Sequence, residues 1–278
     1  MHALSPEQTR AYLAHIDQPA PTLSDRTALD RLIKAHLDRV AFENVDVLLD
    51  RTIHIDTDAV FAKVVGRNRG GYCFEINGLF GRLLLALGFR VTPLAARVRW
   101  GLAADAPLTI TSHLLLRVDF ADEAVIADVG FGSANPTRSL PLRDGDGPGE
   151  WPFRLLAPDA THDDHRLETF LNDAWVPVYH FDLQPQHWVD YVPRNWYTST
   201  HPDSIFRQML VAARTEGAER LTLRNGTFNR RGADDQVTQR LLTDADEIIA
   251  VLREHFLLGI TEDEAPRLRE RLEGLLRG

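Results

Sequence analysis

Residues 69–75 read RGGYCFE and lie directly before a run of apolar residues at helical spacing. The run predicts an amphipathic helix that ends near Gly88, and its apolar stripe consists of Ile76, Phe80, Leu83, Leu84 and Leu87. Gly70 and Gly71 allow the backbone to turn sharply into this helix and leave room for a ligand. The pattern therefore places Cys73 at the N-terminus of a helix.

A cysteine in this position is a candidate nucleophile. The N-terminus of a helix presents free amide groups and the positive end of the helix dipole, and both stabilise a thiolate over a thiol. The same amides can stabilise the oxyanion that forms when a thiolate attacks a thioester or amide carbonyl. The chain has one cysteine, which excludes an intrachain disulfide and a thiolate zinc cluster. Because a lone cysteine is also common as a small buried side chain, its surroundings must decide.

Two further residues supply the partners that a nucleophilic cysteine needs. Such a cysteine requires a base, normally a histidine, and the base benefits from a carboxylate that orients it. His113 opens the strand-like run 113–118, and Asp128 interrupts the apolar run 125–130. The two runs flank a short polar tip and predict an antiparallel hairpin.

The register of this hairpin decides whether His113 and Asp128 meet. A two-residue turn at residues 121–122 places His113 opposite Gly130 and diagonal to Asp128 on the same face. A turn one residue longer or shorter would place them on opposite faces. Since a buried carboxylate without a partner is costly, we expect Asp128 to have one, although a backbone amide is an alternative partner. Together these features predict a catalytic triad of Cys73, His113 and Asp128.

Bulk composition excludes several classes of protein. The 278 residues are 44% hydrophobic and 26% charged, as in a soluble globular protein, with a net charge of −9. This charge argues against nucleic acid or an anionic membrane as a partner. No apolar run reaches membrane-span length and the first residues lack a signal-peptide core, so we expect a cytoplasmic protein. HExxH and P-loop motifs are lacking, and no metal is expected.

The chain divides into three zones. Residues 1–90 read as helical and carry the predicted nucleophile, whereas residues 91–200 read as strands of a β-barrel or sandwich. Residues 201–278 mix strands and helices. Asn172-Asp173 and Asn225-Gly226 are expected to form hairpin turns, and the Gly- and Asp-rich stretch 143–150 an exposed loop. The fold class predicted from this order is α+β.

Several motifs resemble those of the arylamine N-acetyltransferases. Residues 69–75 resemble the nucleophile motif of that family, residues 128–132 (DVGFG) its aspartate motif, and residues 113–116 (HLLL) its histidine strand. AFENVD at residues 41–46 and STHP at residues 199–202 also look similar. The resemblance spans most of the chain, and all three triad positions occur in the order of the family.

This resemblance implies a fold and a reaction. The fold is a helical N-terminal domain (1–90), a central β-barrel (91–200) and a C-terminal α/β lid (201–278) around a cysteine-protease-like catalytic core. In the implied ping-pong reaction, Cys73 takes acetyl from acetyl-coenzyme A, and an arylamine or arylhydrazine then removes it. His113 takes the thiol proton, and Asp128 fixes the imidazole ring and stabilises its charge. The implied biological setting is the metabolism of foreign aromatic amines.

Similarity to the family also nominates residues of an acceptor and coenzyme cleft, which are Phe42, Val98, Trp100, Phe131, Gly132 and Phe206. Aromatic walls suit a flat acceptor ring, although core packing is an equal alternative for Val98 and Phe206. Arg69 is expected to form a structural ion pair with Glu43 or Glu75. No pantetheine or pyrophosphate motif is readable, so coenzyme A follows from the resemblance alone. A homodimer is allowed but has no sequence signal.

Other functions fit the same three residues. An amide synthase of polyketide biosynthesis would use the triad with a large acyl group on a carrier protein. A thiol hydrolase or a transglutaminase-like enzyme would use it on peptide or glutamine amides. A non-enzymatic binding protein with an inert cysteine is the remaining alternative.

Overall fold

The computed structural model describes residues 1–103, 105–146 and 152–277. Its α-helices are α1 (Pro6–His15), α2 (Arg26–Arg39), α3 (Val45–Leu48), α4 (Thr57–Phe61), α5 (Cys73–Ala86), α6 (Tyr191–Thr200), α7 (Ile205–Gln208), α8 (Ala245–Glu254) and α9 (Ala265–Arg277). Its strands are β1 (Phe42–Glu43), β2 (Arg90–Val98), β3 (Thr111–Asp119), β4 (Ala124–Ala127), β5 (Leu140–Pro141), β6 (Gly145–Asp146), β7 (Phe153–Leu156), β8 (His165–Leu171), β9 (Ala174–Phe181), β10 (Val211–Glu216), β11 (Glu219–Arg224), β12 (Thr227–Arg231) and β13 (Val237–Leu241). The predicted α+β class is confirmed.

Helix α5 lies at the centre of the N-terminal helices. It begins at Cys73, as the sequence predicts, and every residue from Cys73 to Leu84 is buried. The predicted one-sided stripe is therefore only part of its buried surface, because helices cover one side of α5 and strands β2 and β3 another. The apolar cluster around it includes Leu29, Leu32, Ile33, Phe74, Phe80, Leu83, Leu114 and Leu116. The N-terminus of α5 is thus held inside the protein.

The predicted barrel forms from one antiparallel sheet of eight strands. Their order is β5-β4-β3-β2-β9-β8-β7-β6. The sheet curls around a second apolar cluster, which includes Leu94, Leu115, Ile126, Leu140, Phe153, Leu155, Leu167, Tyr179 and Phe181. Within the described residues the end strands β5 and β6 do not pair with each other, so the barrel is incompletely closed. The predicted turn between β8 and β9 is confirmed, with φ of 51° at Asn172 and 61° at Asp173.

The register predicted for the hairpin β3–β4 is confirmed. Asp119 pairs with Ala124 and Leu116 with Ala127. At the turn, the Phe120 amide donates to the Glu123 carbonyl at 2.8 Å. This register is the one that puts the side chains of residues 113 and 128 on one face.

A second sheet has the order β1-β10-β11-β12-β13. Its first strand comes from the N-terminal zone, where Phe42 pairs with Ala213 and Glu43 with Ala212. Residues 1–90 were predicted to be helical, and β1 was not predicted, because a two-residue strand has no periodicity. Helices α8 and α9 share an apolar cluster with this sheet that includes Leu221, Leu223, Phe228, Ile248, Leu252, Phe256 and Leu268.

The domain boundaries at residues 90 and 200 stay predictions. Helix α6 was assigned to the barrel zone, yet its Tyr191 belongs to the apolar cluster around α5, and Asn195 donates to the Ile53 carbonyl at 2.8 Å. Of the expected loop 143–150, Gly145–Asp146 forms β6 and residues 147–150 lie outside those the structure describes. In the described part of the chain, no helix has the length and apolar character that crossing a membrane requires.

The C-terminal segment contacts the loop that leads to Cys73. The Gly259 amide donates to the Asn68 carbonyl at 2.8 Å, and the Asn68 side chain donates to the Leu257 carbonyl at 2.7 Å. A Cβ atom at Gly259 would lie 2.3 Å from the Arg67 carbonyl oxygen. Only glycine therefore fits this contact without a backbone shift.

Gly259→Ala should destabilise the protein by about 1–3 kcal/mol, because the added methyl overlaps backbone that must move. Gly274→Ala is the matched control. No atom lies within 4 Å of a Cβ built there, and the residue is inside helix α9, so this change should stabilise by about 0.5–1 kcal/mol. Urea unfolding of both variants measures the two effects. Equal stability of Gly259→Ala and the wild type would contradict the contact.

Candidate active site

Cys73 is the first residue of helix α5 and is buried. The loop before it packs closely on neighbouring backbone. A Cβ atom on Gly70 would lie 1.9 Å from the Ala41 carbonyl oxygen, and one on Gly71 would lie 2.6 Å from Glu75 Oε2. The two glycines are thus required for the loop to reach the helix in this path. Cys73 Sγ lies 3.7 Å from the Ser112 carbonyl oxygen, and Cys73 is close enough to His113 for the two side chains to interact.

His113 and Asp128 form a buried pair. His113 Nε2 and Asp128 Oδ2 are 2.7 Å apart. Phe131 and Tyr179 enclose the imidazole, with ring centroids 5.2 and 5.1 Å from it. Since Asp128 occupies Nε2, the other ring nitrogen remains for the thiol. The structure therefore brings together the three residues predicted from the sequence.

The electrostatics of the pair favour its charged form. Burial lowers the pKa of His113, but the Asp128 carboxylate and the hydrogen bonds to Asp128 and Cys73 outweigh it and raise that pKa to about 10. Burial raises the pKa of Asp128, yet the His113 charge and hydrogen bonds from His113, Asn77 and Gly130 keep it below its ordinary value. At neutral pH the site therefore holds an imidazolium beside a carboxylate.

Two asparagines for which no role was predicted also hold Asp128. Asn77 Nδ2 donates to Asp128 Oδ1 at 2.8 Å, and the Gly130 amide donates to the same oxygen at 2.9 Å. Asn135 donates to the Asp128 carbonyl at 2.8 Å, and its own side-chain oxygen accepts from the amides of Phe131 and Gly132 at 3.0 and 2.7 Å. A role for Asn77 could have been predicted, because it is a polar side chain one turn after Cys73 in an otherwise apolar helix. For Asn135 the sequence offers no such signal.

The predicted cleft residues lie in two groups, and each group is built around aromatic rings. Phe42 and Phe206 lie 5.9 Å apart between centroids, and Phe206 stacks on Tyr72 at 5.6 Å. Gly132, at φ 93°, packs on Phe42, whose ring would be 3.0 Å from an added Cβ.

The second group lies around the imidazole. Trp100 contacts Phe131 at 6.4 Å between centroids. Val98 is half-buried and pairs with Tyr179 between β2 and β9. Trp100, Phe131, Tyr179 and His113 therefore form a continuous series of contacts that leads to the thiol.

A buried network of charges supports the loop before Cys73. Arg69 lies 3.6 Å from Glu43 and 3.2 Å from Asp46, so the predicted ion pair forms with Glu43. Glu75 instead forms an ion pair with Lys63 at 2.7 Å, and its carboxylate accepts a hydrogen bond from the Tyr72 amide at 3.1 Å. Burial raises the pKa of Glu75 to about 7, against the opposing influence of Lys63. The role of Lys63 was not predicted, because its spacing from Glu75 has no sequence signature.

A cleft of mixed character lies between the barrel and the second sheet. Its volume is about 270 Å³, and it is lined by polar residues (Ser133, Thr169, Arg220, Thr222, Asn229, Arg231 and Gln239) and by apolar ones (Trp100, Ala134, Phe170, Leu171 and Val237). Arg220 donates to the carbonyls of Ser133 and Asn135 at 3.1 and 2.7 Å. Trp100 lines the cleft and also contacts Phe131, so the cleft adjoins the aromatic residues around His113. Among the described residues, no group of three or more His, Cys, Asp or Glu could hold a metal ion.

A cysteine at a helix N-terminus, in contact with an imidazole that a carboxylate orients, is the arrangement of enzymes that form a covalent intermediate on sulfur. Comparison with known proteins narrows this class. Residues 25–265 match the model of a family described as N-acetyltransferase. An arylamine N-acetyltransferase of Mycobacterium tuberculosis is 35% identical over 96% of this chain and 95% of its own length. A Salmonella typhimurium protein described as arylamine N-acetyltransferase and N-hydroxyarylamine O-acetyltransferase is 36% identical over 84% and 83%.

Solved structures agree with the sequence comparisons. The arylamine N-acetyltransferase of Mycobacterium marinum superimposes with a TM-score of 0.92 at 32% identity, over 96% of this chain and 99% of that one. The same enzyme in complex with CoA superimposes with a TM-score of 0.91. The chain belongs to the arylamine N-acetyltransferase family and is an acyltransferase.

The His113–Asp128 pair predicts a pH dependence of stability. A histidine with a raised folded-state pKa stabilises the fold fully below its unfolded pKa of about 6.5. This contribution is lost as the pH rises to about 10. The difference in unfolding free energy between the wild type and His113→Gln should therefore shrink across this range, as measured by urea unfolding at several pH values.

The control is His36→Gln. Burial lowers the pKa of His36 to about 3, so here the wild type should lose stability relative to the variant as the pH falls from about 6.5. A difference between wild type and His113→Gln that stays constant from neutral to alkaline pH would contradict the charged pair.

Proposed function

We propose that the protein transfers acetyl from acetyl-coenzyme A to arylamines or arylhydrazines by a ping-pong reaction through an acetyl-Cys73 intermediate. The observation that carries this proposal is the direct contact of Cys73 with an imidazole that a buried carboxylate holds in its charged form. The names of the relatives and the CoA complex of the Mycobacterium marinum enzyme support the choice of donor and acceptor.

In the first half-reaction, Cys73 Sγ attacks the thioester carbonyl of the donor as a thiolate, with its proton already on His113. The Glu75 amide already donates to the Tyr72 carbonyl at 2.9 Å. The amides of Cys73 and Phe74, the first two of α5, therefore stabilise the oxyanion of the tetrahedral intermediate. When this intermediate collapses, the C–S bond to coenzyme A breaks. His113 returns the proton to the departing coenzyme A sulfur, and the acetyl group remains on Cys73.

In the second half-reaction, the amine nitrogen attacks the acetyl-Cys73 carbonyl. His113 is now neutral and takes a proton from the attacking nitrogen, while the Cys73 sulfur leaves as a thiolate. The amide product departs, and the thiolate–imidazolium pair is restored. Asp128 keeps one ring nitrogen protonated throughout and so keeps the other directed at the reacting atoms.

The aromatic groups around the site fit the acceptor. Phe42 and Phe206 lie on one side and Phe131 lies against His113, which provides apolar surfaces for a flat ring near the thioester. An apolar setting also lowers the cost of bringing a neutral arylamine to the carbonyl and keeps water from hydrolysing the intermediate.

The cleft between the barrel and the second sheet fits the donor. Coenzyme A carries phosphates at the end away from its thiol. Asn229 and Gln239 offer amide groups along one wall of the cleft, and Arg231, which is ion-paired with Asp235, adds a guanidinium there. Trp100 lines the same cleft and contacts Phe131, which in turn contacts His113. We propose that the phosphates lie in this cleft while the thioester reaches Cys73.

A free thiol as the reacting group suits a reducing compartment, which supports the expected cytoplasmic location. Metabolism of foreign aromatic amines stays the expected role, and association of two copies stays a prediction.

Incubation with acetyl-coenzyme A alone should add one acetyl group at Cys73, and an arylamine should then remove it as the N-acetyl product. Intact-mass spectrometry and peptide mapping measure both steps. Cys73→Ser should give neither the acetylated protein nor turnover. An unmodified Cys73 would overturn the proposal.

The same experiment separates the alternatives. Acylation only from a carrier-protein thioester, without turnover of simple arylamines, would indicate an amide synthase. Hydrolysis of peptides without coenzyme A would indicate a thiol hydrolase.

Arg231→Gln should raise the KM for acetyl-coenzyme A by roughly two- to tenfold, because one partly exposed charge contact to phosphate is lost. The KM for the arylamine should not change. Arg240→Gln is the matched control, because Arg240 on β13 is ion-paired with Glu247 much as Arg231 is with Asp235, but it does not belong to the lining of the cleft. Steady-state kinetics of both variants measures these KM values. An unchanged KM for acetyl-coenzyme A in Arg231→Gln would exclude this cleft as the phosphate site.

A further inference from the structure

Asn77 is a completely buried polar side chain within an apolar helix. It lies four residues after Cys73 in α5, so both side chains project from the same face of the helix. This face meets the backbone at Gly130, where an added Cβ would lie 2.8 Å from Asn77 Nδ2 and 2.9 Å from Cys73 Cα. Asn77 therefore occupies the contact between the nucleophile helix and the segment that carries Asp128.

Both ends of the Asn77 amide are hydrogen-bonded. Nδ2 donates to the Leu114 carbonyl at 2.6 Å and to Asp128 Oδ1 at 2.8 Å. Oδ1 accepts from the Val129 amide at 2.8 Å. Both donor hydrogens of the amide are thus used. Two of its three partners adjoin the catalytic pair in sequence, since Leu114 follows His113 and Val129 follows Asp128. No other natural side chain of this length offers two donors and an acceptor in one plane.

These bonds fix two quantities on which the site depends. The first is the distance between Cys73 and the His113–Asp128 pair, since one side chain ties the helix to β3 and to the segment that follows β4. The second is the charge of Asp128, because a hydrogen bond donated to a buried carboxylate stabilises its ionised form.

The other contacts to Asp128 Oδ1 do not perform both tasks. The Gly130 amide belongs to the same segment as Asp128, so its bond at 2.9 Å leaves the position of α5 unconstrained. The Asn135 side chain is 3.4 Å away and also belongs to the segment after β4. Among these donors, Asn77 is the one that comes from the helix bearing the nucleophile.

We propose that Asn77 is a positioning residue that keeps Asp128 ionised and holds the His113–Asp128 pair in place beside Cys73. This inference rests on the proposed function, in which the thiolate is the reacting species. Asn77 itself touches neither substrate nor the reacting atoms.

The test compares Asn77→Ala and Asn77→Asp with the wild type. The rate of alkylation of Cys73 by iodoacetamide is measured from acid to alkaline pH, together with the melting temperature of each variant. Alkylation reports the thiolate fraction directly and requires neither coenzyme A nor an amine. Asn195→Ala is the control, because Asn195 is also a buried asparagine and bonds to Ile53 and to Tyr72 beside Cys73, but not to Asp128.

Asn77→Ala should lower the alkylation rate at neutral pH by roughly 10- to 100-fold, the loss expected for one hydrogen bond to a charged group. The rate at alkaline pH, where any thiol is ionised, should stay near that of the wild type. Asn77→Asp keeps the shape but sets a second carboxylate against Asp128. The reduction of its alkylation rate relative to the wild type should therefore increase as the pH rises and the two carboxyl groups ionise. Asn195→Ala should lower the melting temperature and leave the pH profile of alkylation unchanged.

Two outcomes would overturn the inference and are distinguishable. If wild-type Cys73 reacts fast at neutral pH and both Asn77 variants keep that profile while melting at lower temperature, Asn77 is only structural and the proposed function stands. If wild-type Cys73 reacts no faster than an ordinary thiol, the thiolate mechanism fails and the inference fails with it.

Discussion

The ionised, buried carboxylate of Asp128 is the constraint on which the rest of the site depends. An isolated charge in such a place would be very unfavourable, so the protein surrounds it with donors. The His113 ring donates to one oxygen, while Asn77 and the Gly130 amide donate to the other. These donors come from a strand, a helix and a turn, and they must converge for the charge to be tolerated. Satisfying one carboxylate therefore fixes the relative positions of three elements.

The close contacts around this point follow from the same requirement. Gly130 must lack a side chain because Cys73 and Asn77 lie against it, and Gly132 must lack one because Phe42 does. On the opposite side of the nucleophile, the Lys63–Glu75 pair and Arg69 hold the loop that precedes α5. The nucleophile is thus fixed from two sides, by a neutral amide contact at the hairpin and by a buried ionic network at the loop. Rigid placement of this kind keeps the Cys73 sulfur and the His113 imidazolium next to each other before substrate arrives.

The elements with strong local patterns were predicted well. The helix after Cys73, the turn at Asn172-Asp173 and the register of β3–β4 are all local properties, since each depends on residues close together in sequence. Strand β1 was missed because two residues carry no periodicity, and its partner β10 lies far along the chain. The cleft between the barrel and the second sheet was missed for a similar reason. Trp100, Arg220 and Arg231 belong to separate strands and loops, and nothing in the spacing between them indicates that they line one space.

The sequence by itself determined the nucleophile helix, the hairpin and the residues able to act as thiol, base and carboxylate, because side-chain chemistry and hydrophobic period are encoded locally. Only the tertiary structure decided that Asn77 and Asn135 hold Asp128, that Glu75 pairs with Lys63, and that a strand from the helical zone joins the second sheet. Such contacts join residues far apart in the chain. Their partners are selected by the burial of polar groups that must be hydrogen-bonded, a condition that exists only once the chain has folded.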